Sequence, residues 1–401
     1  MKIAYFVHDL TDPAVARRVR MLRAGGAEVT VLGFRREAEA PTTVQGVPAI
    51  DLGRTFDGRL GHRAAMTLRA AASAGRFRRT LEGADVIVAR TLEMLAVAAA
   101  ARPATARLVY ECLDIHRLML GEGAASRGLR LVERTLMRRA DLLVVSSPAF
   151  LSNYFAPRQG VGRDLKLEAL LVENKVLELD GESPNACAAP PPGPPWRIGW
   201  MGALRCRRSL GLLADLARRR PDLVEVRLHG RPAYGEFDDF DAEVSAAPNL
   251  AFGGSYTAGD LPRLYGDVHF SWAIDFMEEG LNSAWLLPNR LYEASRHGAV
   301  PIALAGVETG RYLAEGGFGL RLERAEDLER ALEALTPEAY AGLRRRLAAM
   351  PVSRFAAGPS DCVRLVEILA GERAPAGTLQ RPMRIRPNAR MGQEHYQGEA
   401  V

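Results

Sequence analysis

The length, composition and charge of the chain set the first limits on what it can be. It has 401 residues, of which 48% are hydrophobic and 25% are charged, and its formal net charge is +5 at pH 7. These values are ordinary for a soluble globular protein with room for two domains, and no stretch of about 18 uncharged apolar residues could span a membrane. The small basic excess suits an anionic ligand or membrane surface, whereas nucleic acid would usually require a denser basic stripe with aromatic residues.

The cysteines and the N-terminus indicate the compartment. The four cysteines, at positions 112, 187, 206 and 362, lack the spacing of a metal or redox site. Asp9 interrupts the first apolar run too early for a secretory signal. We therefore expect reduced cysteines, no metal ion and a cytoplasmic protein.

In the first half of the chain, apolar strands alternate with helices. Strands are predicted at residues 2–8, 28–34, 86–89, 107–110 and 142–146, and a helix is predicted at residues 14–24. Strand, helix and strand at this spacing form a right-handed βαβ unit, so we expect a doubly wound α/β domain over residues 1–180. A nicotinamide-binding domain would begin similarly, but it needs glycines in its first loop, and residues 8–13 contain none.

Polar side chains follow the strands predicted at residues 2–8 and 107–110. Asp9 lies after the first, and Asp114 and His116 lie two residues apart in the loop after the second. Open α/β sheets bind ligands at the carboxyl ends of their strands, and a carboxylate there can take a proton from a sugar hydroxyl. We therefore take Asp114, His116 and Asp9 as candidate catalytic residues. The alternative is that they cap the next helix or bind water.

Two helical segments of the first half are basic. The segments span residues 54–79 and 127–139, and both mix arginines with apolar residues. Such runs are usually solvated helix faces. The other interpretation is attachment to anionic lipid headgroups through amphipathic basic helices.

A proline-rich stretch at residues 181–195 predicts a linker between domains. The alternation then restarts, with strands predicted at residues 197–201, 224–229, 249–252, 268–272 and 300–304. We place a second Rossmann-like domain at residues 196–352. The turn after its first strand carries Gly202, which permits close backbone approach, and then Arg205 and Arg208, which supply fixed charge. The alternative is a surface cluster of arginines without a ligand.

Residues 288–304 predict a short helix followed by a buried strand. Pro288 suits a first helical turn, and Gly298 suits a left-handed helix end. Asn289 and Glu293 are four residues apart and so share one helix face, near a helix N-terminus that favours phosphate. The alternative is an amphipathic helix whose Glu293 faces water.

The run Asn-Arg-Leu-Tyr-Glu at residues 289–293, with Gly298 and Pro301-Ile302, resembles the donor-site helix of GT-B glycosyltransferases. The similarity is to the family-4-like bacterial enzymes of exopolysaccharide synthesis of the succinoglycan type, and it extends from the first strand to about residue 371. It implies an α/β GT-B fold, with two facing Rossmann-like domains and a C-terminal helix within residues 353–371 that crosses back to the first. Residues 372–401 have little to bury, and we expect a disordered tail.

The resemblance also implies a donor site. In the family, the glutamate at the position of Glu293 binds the ribose of a sugar nucleotide, and a glycine followed by basic residues stabilises the departing diphosphate. Loops on the same sheet edge would line the base and the sugar. The donor-binding residues expected on this basis are Gly202, Arg205, Arg208, Tyr256, Asn282, Asn289, Arg290, Leu291, Tyr292 and Glu293.

One position departs from the family pattern. Retaining members carry a second glutamate eight positions before the first, and here that position is Trp285. An inverting displacement instead requires a base that takes the acceptor proton. We therefore expect inversion, with Asp114 as the base and Asp9 as the reserve candidate.

The sequence thus predicts a hexosyltransferase that uses a nucleotide sugar. We expect transfer of glucose from a UDP-sugar, with a GDP-sugar as the alternative, to a lipid-linked or oligosaccharide acceptor in exopolysaccharide or cell-surface glycan synthesis. No cofactor is required, because arginines and a helix dipole can neutralise the diphosphate. We expect a cytoplasmic protein, with the inner face of the plasma membrane as a second location, and no nucleic-acid partner. Two other functions remain open: a nucleotide-sugar 2-epimerase of the same fold, and a non-catalytic scaffold.

Overall fold

The computed structural model describes residues 1–56, 58–179 and 190–372. They form two α/β halves, residues 1–179 and residues 190–355, each built on its own sheet. The predicted linker lies outside the described residues up to position 189, and the predicted tail lies outside them from position 373.

The first sheet has eight strands in the order β3-β4-β2-β1-β5-β6-β7-β8. Their bounds are β1 Lys2–Val7, β2 Glu28–Arg35, β3 Thr43–Val44, β4 Val47–Arg54, β5 Val86–Arg90, β6 Arg107–Cys112, β7 Leu142–Val145 and β8 Ala169–Leu171. All neighbours are parallel except β3 and β4. The order of the strands reverses between β1 and β5, which is the kind of position where open α/β sheets bind ligands.

The helices of the first half cover both faces of this sheet. Their bounds are α1 Pro13–Ala24, α2 Leu60–Ala72, α3 Arg78–Leu81, α4 Leu92–Ala101, α5 Arg117–Leu120, α6 Ala124–Met137, α7 Pro148–Phe150 and α8 Ala156–Gln159. Helix α1 begins where Asp12 accepts a hydrogen bond from the N–H of Ala14 at 2.8 Å. The basic segment at residues 54–79 is not one helix, since it contains the end of β4, then α2, a 3₁₀ turn and α3.

The second sheet has six parallel strands in the order β12-β11-β10-β13-β14-β15. Their bounds are β10 Trp196–Leu204, β11 Val224–Pro232, β12 Leu250–Phe252, β13 Phe270–Trp272, β14 Val300–Leu304 and β15 Leu320–Leu322. The helices are α9 Arg207–Arg219, α10 Phe240–Ser245, α11 Leu261–Gly266, α12 Asn289–Arg296, α13 Glu308–Gly316, α14 Leu328–Glu333 and α15 Pro337–Ala348. Trp196, Trp200 and Trp272 are fully buried and fill the core of this half.

The chain returns to the first half at its C-terminal end. Strand β9 (Val176–Leu177) pairs with β16 (Ala356–Ala357) in a small parallel sheet. Helix α16 (Pro359–Ala370) then buries Leu365 and Leu369 in the core that also contains the apolar face of α1. Arg107 of β6 donates to the carbonyls of Ile368 and Leu369 at 3.3 and 3.2 Å, which satisfies the end of the helix. The GT-B fold and its returning helix are therefore confirmed.

His269, just before β13, joins the end of the linker to the second sheet. Its Nδ1 accepts a hydrogen bond from the N–H of Arg197 at 2.9 Å, and its Nε2 donates to the carbonyl of Pro191 at 2.9 Å. The ring is therefore neutral, with its proton on Nε2. Burial lowers the pKa of His269.

We predict that acid weakens the fold through His269. Because the pKa of His269 is lower in the folded than in the unfolded chain, the stability contributed by its neutral ring is complete above the unfolded pKa of about 6.5. It is lost as the pH falls through the lower folded pKa. The free energy of unfolding in urea should therefore fall between about pH 7.5 and pH 5, and it should fall less for His269→Gln. The exposed His62→Gln serves as the control, and equal pH dependence in all three proteins would refute the assignment.

Candidate active site

The loops at the carboxyl ends of the two sheets contact each other. Residues 273–288 connect β13 to α12 in the second half, and the indole of Trp285 in this segment packs against the core of the first half. The carbonyl of Trp285 accepts a hydrogen bond from the buried hydroxyl of Ser147. The amide of Asn282 donates to the carboxylate of Asp114 in the first half. The contact brings together Asp114, predicted to be catalytic, and Asn282, predicted to bind the donor.

Glu293 lies one turn into α12, in a mostly buried position at this junction. The hydroxyl of Tyr265 donates to its Oε2 at 3.2 Å. Burial raises the pKa of Glu293, while the charges of Arg17 and Arg290 oppose that shift. The carboxylate of Glu293 therefore has one hydrogen-bond donor, Tyr265, and two cations, Arg17 and Arg290, near it. Within the described residues, none of these three groups bonds both carboxylate oxygens. Asn289, at the start of the same helix, is exposed.

Arg17 reaches this region from the first half and was missed by the sequence analysis. It lies in α1, and its guanidinium donates to the side-chain oxygen of Asn174 at 2.8 Å and to the carbonyl of Asn174 at 3.1 Å. Burial, with the neighbouring charge of Arg18, lowers the pKa of Arg17 to about 10, and Glu293 opposes that shift. Only the folded chain shows this arginine beside Glu293, because the two are 276 positions apart in the sequence.

Gly202 and Tyr256 lie next to each other, and Tyr256 is within reach of the charge of Glu293. Gly202 is near the end of β10 with φ +109°, a conformation that residues with a side chain rarely adopt. A Cβ at this position would lie 3.9 Å from the hydroxyl of Tyr256. Burial and the charge of Glu293 raise the pKa of Tyr256, so its hydroxyl stays a hydrogen-bond donor. The structure thus brings three of the predicted donor-binding residues together.

Asp275, which the sequence analysis did not single out, lies close to two of the predicted arginines. Its buried carboxylate lies 3.6 Å from a guanidinium nitrogen of Arg205 and 3.7 Å from one of Arg290. Within the described residues, Nε of Arg290 and Oδ1 of Asn282 are buried without a hydrogen-bond partner. Buried polar atoms are almost always paired in proteins, so these two point to a ligand that completes them.

Arg208 does not fit its predicted role in binding the diphosphate. One terminal nitrogen donates to Glu279 at 2.7 and 2.9 Å, and the other donates to Glu326 at 2.8 Å. The guanidinium and its two carboxylates carry a net negative charge, which would repel a diphosphate. The sequence shows the charge of Arg208 but not the two acids that the fold places beside it.

Leu291 and Tyr292 are also corrections to the predicted site. Both are fully buried in the core of the second half, so neither has a surface to offer a ligand. The hydroxyl of Tyr292 donates to Glu173 at 2.9 Å, and one turn later Arg296 donates to both oxygens of Glu178 at 2.6 and 3.2 Å. These contacts fasten the buried face of α12 to the segment that leaves the first half.

The three candidate catalytic residues have different surroundings. Asp114 is exposed, and its carboxylate accepts a hydrogen bond from the amide of Asn282. His116 caps α5, since its Nδ1 accepts from the N–H of Leu118 at 3.2 Å. His116 therefore caps a helix, which is the alternative that the sequence also allowed. Its Nε2 carries the remaining N–H, which is available to donate to a ligand. Burial and the charge of Arg63 lower the pKa of His116.

Asp9 is committed to its own loop rather than to the cleft. Its Oδ1 accepts from the N–H and the hydroxyl of Thr11 at 3.0 and 2.8 Å, and its Oδ2 lies 3.3 Å from Nε of Arg36. The side chain is 9% exposed. A carboxylate whose oxygens are both engaged in this way is a poor general base, so the structure removes Asp9 as the reserve candidate.

Glu278 is a second carboxylate near Asp114. Its N–H donates to the hydroxyl of Ser283 at 3.0 Å, and its side chain is half-buried. Burial and the charge of Asp114 raise the pKa of Glu278, while Arg205 opposes the shift. In the part of the chain that the structure describes, no group of three or more His, Cys, Asp or Glu side chains could hold a metal ion.

Two comparisons of the sequence with known proteins identify the family. A model of the glycosyl transferase 4-like domain matches residues 12–165. The succinoglycan biosynthesis protein ExoL of Rhizobium meliloti (strain 1021) is 48% identical over 408 residues, an alignment that covers 99% of each chain.

Solved structures show the same fold at low identity. Sucrose-phosphate synthase from Thermosynechococcus elongatus superposes with a TM-score of 0.66 at 14% identity, over 92% of this chain and 98% of that one. Anabaena HepE in complex with UDP and glucose gives 0.65 at 17% identity, over the same shares of the two chains. Since the curated relative matches nearly end to end at 48% identity, the chain belongs to the glycosyl transferase 4-like family and is a glycosyltransferase of GT-B fold.

Proposed function

We propose that the protein transfers a hexosyl group, with glucose as the first candidate, from a UDP-sugar to a lipid-linked or oligosaccharide acceptor in exopolysaccharide synthesis. The observation that carries the proposal is the junction of the two halves. There Glu293, Arg205 and Arg290 of the second half lie on one side, and Asp114 of the first half is bonded to Asn282 across it. Such a site has cations for a diphosphate and a carboxylate for an incoming hydroxyl.

The donor and the pathway are proposed from the relatives. The name of the 48% identical relative ExoL refers to succinoglycan biosynthesis, which supports an exopolysaccharide as the product. The HepE structure holds UDP and glucose, which supports a UDP-hexose as the donor. In this site Glu293 accepts hydrogen bonds from the ribose hydroxyls, and the backbone at Gly202 lets the donor approach closely.

The chemistry follows from where charge develops. As the glycosidic bond breaks, negative charge grows on the diphosphate, and the fixed guanidinium groups of Arg205 and Arg290 stabilise it most in the transition state. Asp275 positions both arginines through its buried carboxylate. Asp114 takes the proton from the acceptor hydroxyl as the new bond forms, and the amide of Asn282 orients the carboxylate. Direct attack of this kind inverts the configuration at the sugar carbon.

Radiolabelled sugar nucleotides test the proposed activity. The protein is incubated with UDP- and GDP-hexoses and a membrane extract, and the label should move from the UDP-sugar to the lipid or oligosaccharide fraction. Asp114→Asn should reduce the rate by about 10²–10⁴-fold, the usual contribution of a general base, while binding of UDP is unchanged. Proton NMR of the product from an α-linked donor should show a β linkage.

The same experiment can contradict each part of the proposal. An altered free nucleotide sugar would indicate an epimerase. Label that stays on the unaltered nucleotide sugar would favour a scaffold. An α-linked product would mean retention of configuration, and Asp114 would then serve in binding rather than as a base. A normal rate for Asp114→Asn would also remove it from the mechanism.

Glu293→Gln tests the donor-binding role. The substitution keeps the shape but removes the charge, and hydrogen bonds to charged groups are worth about 1.5–3 kcal/mol each. Calorimetric titration with UDP should therefore show affinity weaker by about tenfold or more. Glu315→Gln, an exposed carboxylate on α13 of the same half, should bind UDP normally. Equal affinity in the two variants would show that Glu293 does not hold the ribose.

We also propose peripheral attachment to an anionic membrane surface. Helices α2 and α6 both pack against α4 on one face of the first sheet. Leu68 of α2 and Leu131 of α6 are 70% and 66% exposed. Two exposed arginines lie near them: Arg69 is in α2, and Arg138 directly follows α6. Apolar side chains interleaved with arginines bind anionic headgroups. None of the described helices has the length and apolar character needed to cross a bilayer.

Co-sedimentation with phosphatidylglycerol vesicles tests this attachment. Binding should fall as salt rises, and replacing Arg69 and Arg138 together by Gln should weaken it by roughly 30-fold, at about 1 kcal/mol per arginine. The matched control replaces Arg345 and Arg346, two exposed arginines of α15 in the second half. Equal loss in both double variants, or no binding at low salt, would leave no role for the α2 and α6 surface.

A further inference from the structure

Arg17 is a charged residue near the donor site to which the proposed mechanism gives no role. It lies in α1 of the first half, whereas Glu293 lies in α12 of the second. Its guanidinium donates to the side-chain oxygen of Asn174 at 2.8 Å, to the carbonyl of Asn174 at 3.1 Å and to the carbonyl of Lys175 at 3.4 Å. These acceptors are uncharged, so they fix the position of Arg17 without neutralising its charge.

Hydrogen bonds to residues 173 and 174 place Arg17 next to α12. Glu173 accepts a hydrogen bond from the hydroxyl of Tyr292 at 2.9 Å, and Tyr292 directly precedes Glu293. Arg17 and Tyr292 thus hold two consecutive residues of the segment that leaves the first half, and consecutive Cα atoms are only about 3.8 Å apart. Arg17 and Glu293 also each oppose the effect of burial on the pKa of the other. The two side chains are therefore within reach of each other's charge.

The cations beside Arg17 in the first half are already paired. Arg18 lies 2.7 Å from the carboxylate of Glu111. Arg90 lies 3.5 Å from the same carboxylate and 4.0 Å from that of Asp12. Two carboxylates thus match these two arginines, and the charge of Arg17 is left to act across the junction.

The cation that the second half offers to Glu293 is engaged as well. Arg290 lies in the same helix, and a nitrogen of its guanidinium is 3.7 Å from the buried carboxylate of Asp275. That carboxylate offsets the charge of Arg290 at the position of Glu293. Arg17 is therefore the better placed of the two arginines to stabilise an ionised Glu293.

The other groups around Glu293 are neutral or bonded elsewhere. Tyr265 of α11 and Tyr256 of the loop before it are neutral, because burial raises the pKa of both hydroxyls. Strands β13 and β14, which pack against α12, contain no ionisable side chain. Glu173 and Glu178, on the side of β9, are bonded to other side chains of α12.

A ribose requires Glu293 in its ionised form. Two neighbouring hydroxyls can each donate to one carboxylate oxygen, and only the ionised group accepts at both oxygens without a proton of its own. Burial raises the pKa of Glu293 and so favours the protonated acid. A fixed cation that cannot be deprotonated at physiological pH counteracts this effect.

We infer that Arg17 is a positioning residue of the donor site: fixed by Asn174 in the first half, it keeps Glu293 of the second half ionised for the ribose. The inference rests on the proposed function, in which Glu293 holds the ribose. It goes further because the ribose site then requires both halves, and the first half supplies a charge without touching the donor.

Titration of uridine and of UDP into the full chain at several pH values tests the inference. Glu293 binds ribose when ionised, so affinity is complete above its pKa and falls as the pH drops through it. Because loss of Arg17 raises that pKa, Arg17→Gln should bind both ligands about tenfold more weakly than the unchanged protein at about pH 6, and nearly equally at about pH 8. Arg17→Lys keeps the charge and should follow the curve of the unchanged protein. Arg20→Gln, an exposed arginine on the same helix, is the matched control.

A double variant shows whether Arg17 acts through Glu293. In the Glu293→Gln background, Arg17→Gln should cause no further loss of affinity, because the group on which Arg17 acts is already neutral. Urea unfolding reports whether each variant is folded. If Arg17→Gln does not fold, Asn174→Ala removes the side chain that fixes Arg17 and should displace the pH curve in the same direction.

Several results would overturn the inference. These are equal pH curves for Arg17→Gln and Arg20→Gln, an equal displacement in Arg17→Lys and Arg17→Gln, or a second loss in the double variant. Weaker binding of UDP with unchanged binding of uridine would also overturn it, since Arg17 would then act on the phosphates. Failure of the proposed function is seen separately, because Glu293→Gln alone would then bind both ligands normally.

Discussion

The packing of Trp285 against the core of the opposite half is the contact on which the candidate site depends. The residue belongs to the second half by sequence, yet its indole lies on the first-half core and its carbonyl accepts from Ser147. Three residues earlier, Asn282 holds Asp114, and three residues later, Pro288 begins the donor helix α12. Because this segment is short, a displacement of the indole would move the proposed base contact and the donor helix together.

Helix α12, the proposed donor helix, is bonded to the first half through one face and carries Glu293 beside it. Tyr292 and Arg296 are four residues apart, and they bond Glu173 and Glu178 in the segment that leaves the first half. Residues four apart share a helix face, so these two bonds fix the rotation of α12 about its axis. That rotation directs Glu293 towards Tyr265 and places it within reach of the charge of Arg17. The predicted ribose site is therefore built by both halves.

The sequence could predict most strands but only part of the site. Strands depend on local apolar patterns, whereas the site depends on contacts between residues far apart in the chain. Residues 300–304 form an unbroken apolar run and become β14 as predicted, whereas β4 was missed because Asp51 and Gly53 interrupt its pattern. Residue type and loop position led to the predictions of Asp114 and Glu293, and the fold places both near the junction of the two halves. They could not show that Arg208 is neutralised by two distant glutamates, or that Arg17 and Asp275 meet the site, because those contacts exist only after folding.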